Sequence, residues 1–220
     1  MPEKFAIFDL DGTLLDSMPY WLEYGYGYLR EKGAVITPQT RSVLDAMSLS
    51  ETVQYCRREQ GLDISAEEVM AAIEASMRMH YETDIPLKPG ALELLEQMKR
   101  LGYHMCVLTA TRAEVCGPSV ETCGIGKYLD FLMDCEDFPQ GKNTPDVFFA
   151  AARRLGADPA STLVFEDSPH AVRSLAETDF TAVGVADVTA AAQEELVRSL
   201  AAYYAEDLSD PGLLAFVRSF

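Results

Sequence analysis

Phe5-Ala6-Ile7-Phe8-Asp9-Leu10-Asp11-Gly12-Thr13 is the stretch that decides the fold. Four apolar residues in a row, closed by a glycine turn, read as a strand buried on both faces, the kind found in parallel sheets. Such a strand has no ordinary reason to end in two acids. Side chains at i and i+2 of an extended chain point to the same side. Two carboxylates held that close repel, and burying them costs several kcal/mol unless a cation compensates. A divalent ion that prefers oxygen ligands, such as Mg²⁺, is the simplest compensation. The sequence therefore predicts a metal-carboxylate site at the C-terminal end of a strand, where open α/β sheets bind ligands.

Further β-prone runs follow at His104–Thr111, Phe131–Cys135, Thr162–Glu166 and Thr181–Val185. Between them lie helical patterns at Ala91–Leu101, Arg112–Cys123, Pro145–Leu155 and Pro169–Glu177. This alternation predicts an α/β fold, a Rossmann-like parallel sheet with helices on both faces. Residues 16–83 break the rhythm. They show four helical patterns (Met18–Lys32, Pro38–Ala46, Ser50–Gln60 and Ser65–Glu82) and no strand. The expected organisation is a core of residues 1–15 and 84–220 with a small α-helical domain, residues 16–83, inserted after the first strand. From Glu206 to Phe220 a final loop and helix are expected.

Four segments at expected strand ends carry the chemistry: Asp9–Thr13, Val107-Leu108-Thr109-Ala110-Thr111, Gly141-Lys142-Asn143-Thr144-Pro145-Asp146 and Leu163-Val164-Phe165-Glu166-Asp167-Ser168. Parallel strands bring their C-terminal ends to one edge, so the four can converge. A hydroxyl, an ammonium and two pairs of acids form an inventory suited to phosphoryl transfer. A carboxylate attacks phosphorus, a metal and a lysine neutralise its oxygens, and a second acid moves the proton.

In these motifs and their order the chain resembles the haloacid dehalogenase superfamily of hydrolases, in the capped branch that holds phosphoglycolate phosphatases and β-phosphoglucomutases. The resemblance implies that residues 16–83 are the cap. It implies Asp9 as nucleophile and Mg²⁺ ligand, and Asp11 as general acid and base whose backbone carbonyl also binds the metal. Thr109 and the N–H of Ala110 would bind the phosphoryl group, and Lys142 would pair with it and with Asp9. Asp167 would bind the metal, Glu166 directly or through water. The implied reaction is Mg²⁺-dependent hydrolysis of a small phosphorylated metabolite through an aspartyl-phosphate.

Departures from the family pattern sort its branches. Asp11 argues against dehalogenases, which have Tyr there. The single lysine of the insertion, Lys32, gives no basis for a Schiff-base phosphonatase. A β-phosphoglucomutase-type phosphosugar mutase is the alternative, but its cap histidine corresponds here to Trp21, and its cap arginine has no basic counterpart in Ala46–Glu51. Trp21 is expected to face the substrate, whereas Tyr24 and Tyr28 are expected in the core of the insertion.

Composition bounds the rest. With 35 acidic against 18 basic side chains the formal charge is −17, which disfavours nucleic acid or an anionic membrane as partner. No signal segment or membrane span is read, and the five cysteines lack CxxC spacing, so a cytoplasmic protein with reduced thiols is expected.

Overall fold

The structure, a computed structural model, describes residues 3–45 and 47–220. Backbone contacts divide it into two compact units. One comprises the segment ending at Ser17 together with Tyr81–Phe220, and the other is Met18–His80.

The first unit is built on a six-stranded parallel sheet in the order β3-β2-β1-β4-β5-β6. Its strands are β1 (Lys4–Phe8), β2 (Tyr103–Thr109), β3 (Phe131–Asp134), β4 (Thr162–Glu166), β5 (Thr181–Val185) and β6 (Tyr203–Ala205). Helices α5 (Ala91–Arg100), α6 (Ala113–Thr122), α7 (Asp146–Leu155), α8 (Pro169–Leu175), α9 (Glu194–Leu200) and α10 (Pro211–Ser219) connect and follow them. The apolar run of β1 is buried because both its faces are covered. Ile7 pairs in register with Cys106 and Val164, and these pack with Val147 and Phe148 of α7 and Val172 of α8. The alternate residues Ala6, Phe8, Met105, Val107, Leu163 and Phe165 point to the other face and are equally buried, with Phe8 and Phe165 stacked at 4.3 Å. Each large aliphatic or aromatic side chain sealed in this way contributes about 1.5–3 kcal/mol.

The sheet contains the expected strands and one more. β6, three residues long, was not anticipated, because Tyr203-Tyr204-Ala205 is too short to show a period. β1 ends at Phe8 with its apolar run, and β2 ends at Thr109, two residues before the end of the expected run His104–Thr111. β1 lies between β2 and β4, where the order of the strands reverses. This is the position at which open parallel sheets leave a crevice beyond their C-terminal ends.

The second unit holds, among its described residues, α1 (Met18–Glu31), α2 (Pro38–Leu44), α3 (Leu49–Gln60) and most of α4 (Ala66–Thr83). Local chemistry sets their ends. Thr37 caps α2 with Pro38 in its first turn, and Ser48 and Glu51 form a reciprocal capping box on α3. The core here includes Tyr26, Leu29, Val53, Cys56, Val69, Ile73 and Met77. Tyr24 and Tyr28, expected in this core, are only half-buried; Tyr26 takes that place, hydrogen-bonded to Asp45 with Arg41 5.0 Å over its ring. Aromatics surround α1 on several faces, so spacing alone did not identify the inner one. Ala46, with which the expected second helix ended and the compared loop began, lies outside the described residues. No helix among the described residues is long and apolar enough to cross a membrane.

Candidate active site

The sheet carries Asp9 to its edge. Beyond β1 the strand pairing continues for one hydrogen bond, from the Asp9 amide to the Phe165 carbonyl at 2.9 Å. The chain then turns back on itself, with the amides of Leu14 and Leu15 both donating to the Leu10 carbonyl. Gly12 makes the turn possible at φ +85°, a region open to glycine. Because the chain is no longer extended after Asp9, the rule that i and i+2 share a side does not govern Asp9 and Asp11. The two carboxylates have different partners.

Asp9 is buried and accepts from the Lys142 ammonium at 2.5 Å. Lys142 sits in a short 3₁₀ turn, Gly141–Asn143, ahead of α7, and it also donates to Glu166 at 2.5 Å. Burial works against its charge, but Asp9 and Glu166 outweigh that and hold its pKa above the ordinary lysine value. Glu166 ends β4 and is followed by Asp167, which accepts from the Thr13 hydroxyl at 2.8 Å. Carboxylate oxygens of Asp9, Glu166 and Asp167 lie within 4.8 Å of one another, all three buried. Burial, opposed at Glu166 mainly by Lys142 and reinforced at Asp167 by the charges of Asp9 and Glu166, pushes both acids well up.

With one ammonium among them, three buried carboxyl groups would carry an excess of negative charge once all are ionised. A hard divalent cation with oxygen ligands suits such a donor set. Asp9, Glu166 and Asp167 therefore fit a metal site. The Asp11 carboxylate is not part of this cluster.

Asp11 is instead surrounded by hydroxyls. Ser17 and Tyr81 donate to Oδ1 at 2.6 and 2.5 Å, and Thr111 donates to Oδ2 at 2.7 Å. Burial raises its pKa, with the charge of Asp9 adding to that, while the three hydroxyls act in the opposite direction. The difference from Asp9 is chemical. An ammonium only donates, so it favours a carboxylate that stays ionised. A hydroxyl both donates and accepts, so it can serve the ionised and the protonated acid alike.

Thr109, fully buried, is the last residue of β2, and its Oγ1 accepts from the Thr111 amide at 3.1 Å. That bond occupies a lone pair and not the hydroxyl proton. Ala110 follows in an exposed bend. Trp21 is half-buried on α1, in the other unit. Ser17, Tyr81 and Thr111 were not foreseen as Asp11 partners. Thr111 stands in a motif already singled out, but nothing near Ser17 or Tyr81 in sequence marks either residue.

The chain belongs to the haloacid dehalogenase-like hydrolases, whose family model matches residues 4–179. It is 26% identical over 185 residues to validoxylamine A 7'-phosphate phosphatase of Streptomyces hygroscopicus subsp. limoneus, covering 83% of this chain and 85% of that one. It is 27% identical over 173 residues to hexitol phosphatase A of Escherichia coli K12, covering 78% and 77%. Among solved structures, a hydrolase from Pseudomonas syringae superposes with a TM-score of 0.77 at 24% identity, over 100% of this chain and 99% of that one, a likeness of fold.

Proposed function

We propose that this haloacid dehalogenase-like hydrolase is a Mg²⁺-dependent phosphatase of small phosphorylated metabolites, working through an aspartyl-phosphate on Asp9. The observation that carries the reading is the unequal treatment of the two acids in Asp9–Thr13. One is clamped by an ammonium beside two more carboxylates, and the other stands among hydroxyls. The names of the relatives, a hexitol phosphatase among them, support a phosphorylated polyol or similar carbohydrate as the substrate class.

In this reading Asp9, Glu166 and Asp167, with the backbone carbonyl of Asp11, hold the metal; Glu166 binds directly or through a water. When bound, the cation lowers the charge on the phosphoryl oxygens and fixes the substrate's orientation. Asp9, held by the Lys142 ammonium, attacks phosphorus in line, and the bond from phosphorus to the leaving oxygen breaks. Asp11 gives its proton to that oxygen. The Thr109 hydroxyl, the Ala110 N–H and Lys142 stabilise the charge that builds on the phosphoryl group. Asp11, now ionised, takes a proton from water as the water attacks phosphorus, and the Asp9 carboxylate leaves. Met18–His80 is proposed as the cap that selects the leaving group, with Trp21 as its substrate-selecting residue. Hydrolysis is preferred to phosphosugar mutation because Trp21 and the stretch Met47–Glu51 bring no cationic side chain to pair with a second phosphate.

The test is release of inorganic phosphate from a panel of polyol phosphates, sugar phosphates and nucleotides with Mg²⁺ present. Turnover lost on chelation and in Asp9→Asn is expected. A preparation with Mg²⁺ that releases phosphate from no member of the panel rejects the reading. Interconversion of β-glucose 1-phosphate and glucose 6-phosphate without phosphate release would favour the mutase.

A further inference from the structure

We propose that Tyr81 is a positioning residue for Asp11, its phenol hydroxyl fixing the plane in which that carboxylate meets the leaving oxygen. The proposal rests on the reading of Asp11 as the proton donor.

Tyr81 lies near the end of α4 and is 1% exposed. Its hydroxyl meets Asp11 Oδ1 at 2.5 Å, across 70 residues of chain. Ser17 meets the same oxygen, and Thr111 holds the other. With both oxygens engaged, rotation about the Cβ–Cγ bond of Asp11 breaks at least one of these contacts. The three donors are not equivalent. Ser17 and Thr111 each aim a hydroxyl through a single side-chain torsion close to the backbone, so each can swing with the acid. The oxygen of Tyr81 stands at the end of a rigid ring whose place is set by packing. It is the fixed point against which the carboxylate aligns. Proton transfer in a transition state demands that alignment, since small misplacements of a catalytic group carry large rate penalties. Asp9 is held by the Lys142 ammonium, a separate bond at 2.5 Å, and that clamp survives loss of the Tyr81 hydroxyl.

The consequence depends on the leaving group. p-Nitrophenyl, phenyl and benzyl phosphates share a ring but leave as increasingly basic oxygens, with increasing need of a proton. kcat/KM counts only the steps up to departure of the leaving group, so it excludes the later attack by water. Tyr81→Phe keeps the ring and removes the hydroxyl. Its kcat/KM is expected to fall about tenfold on benzyl phosphate, the upper end of the scale for one hydrogen bond between neutral groups, and several-fold less on p-nitrophenyl phosphate, with the loss carried by kcat and not KM. A purely structural role would lower all three substrates by one common factor, and that result overturns the proposal.

Asp11→Asn, run on the same series, separates the two readings. If its loss does not depend on the leaving group, Asp11 is not the donor. If its loss does depend on the leaving group while that of Tyr81→Phe is uniform, Asp11 keeps its role and Tyr81 does not position it. Tyr81→Met fills the same apolar space without a hydroxyl, and supplies the ratio should the Phe variant fail to fold.

Discussion

Replacing Gly12 by alanine tests the geometry that brings the opening motif to the acidic cluster. Two independent costs follow from the structure. At φ +85° an alanine pays roughly 1–2 kcal/mol in backbone strain. Its Cβ would also stand 2.7 Å from Asp167 Oδ2 and 2.9 Å from Asp167 Cγ, closer than real contacts allow. Asp167 has little freedom to yield, being 5% exposed and held by the Thr13 hydroxyl at 2.8 Å. Breaking that bond and leaving a buried group unsatisfied costs about 1–3 kcal/mol, so the sum is about 2–5 kcal/mol, out of the 5–15 kcal/mol that a domain typically has. Gly156→Ala is the matched control. It has φ +76° at the end of α7 with no atom within 4 Å of its Cβ, so only the backbone cost applies. Urea unfolding in EDTA should place Gly12→Ala below Gly156→Ala by the Asp167 contribution. Titration with Mg²⁺ should show the midpoint of Gly12→Ala shifted about 10- to 100-fold upward, the scale found when groups supporting metal ligands are disturbed. Equal stability of the two variants within about 0.5 kcal/mol, or an unshifted Mg²⁺ midpoint, would refute the reasoning.

Asp9→Asn should abolish phosphate release while the protein still unfolds cooperatively, because Lys142 keeps Glu166 as a partner; residual turnover near wild type would show that another group attacks. Burial pushes Glu166 up to about 7 and raises Asp167 as well, so the metal-free folded state keeps protons that the unfolded chain has already released. Stability in EDTA should therefore be greatest, as regards these groups, below their ordinary range and fall as pH rises towards 7. Saturating Mg²⁺ should stabilise increasingly over the same interval, and parallel denaturation curves with and without the ion would contradict this. Lys88→Met should cost about 3–5 kcal/mol, since it strands Asp187, 8% exposed and 2.8 Å from the Lys88 ammonium, as a buried charge. Adding Asp187→Asn should recover much of that in a double-mutant cycle, and additive losses would mean the pair is not coupled.

The strand pattern was legible because burial on both faces writes itself as continuous apolar residues. Phe5–Phe8, Met105–Leu108 and Leu163–Phe165 needed no partner to be recognised. Where an element is short, as in Tyr203–Ala205, or aromatic on several sides, as in α1, the pattern under-determines the outcome. Packing then chose Tyr26 over Tyr24 and Tyr28.

By itself the sequence determined the chemical inventory and the edge of the sheet at which it gathers. Asp9, Thr109, Lys142, Glu166 and Asp167 each sit at or just beyond a strand end or ahead of a helix, and parallel strands necessarily align those ends. Only the tertiary structure decided how the inventory is divided. Whether two acids two residues apart share a cation depends on where the strand stops, and here it stops at Phe8, with the chain turning back at Gly12. The hydroxyls that receive Asp11 come from Ser17, Tyr81 and Thr111, brought together by folding from three distant parts of the chain. A side-chain hydrogen bond spanning 70 residues has no local signature, because its energy is set by the packed positions of both partners and not by the sequence around either.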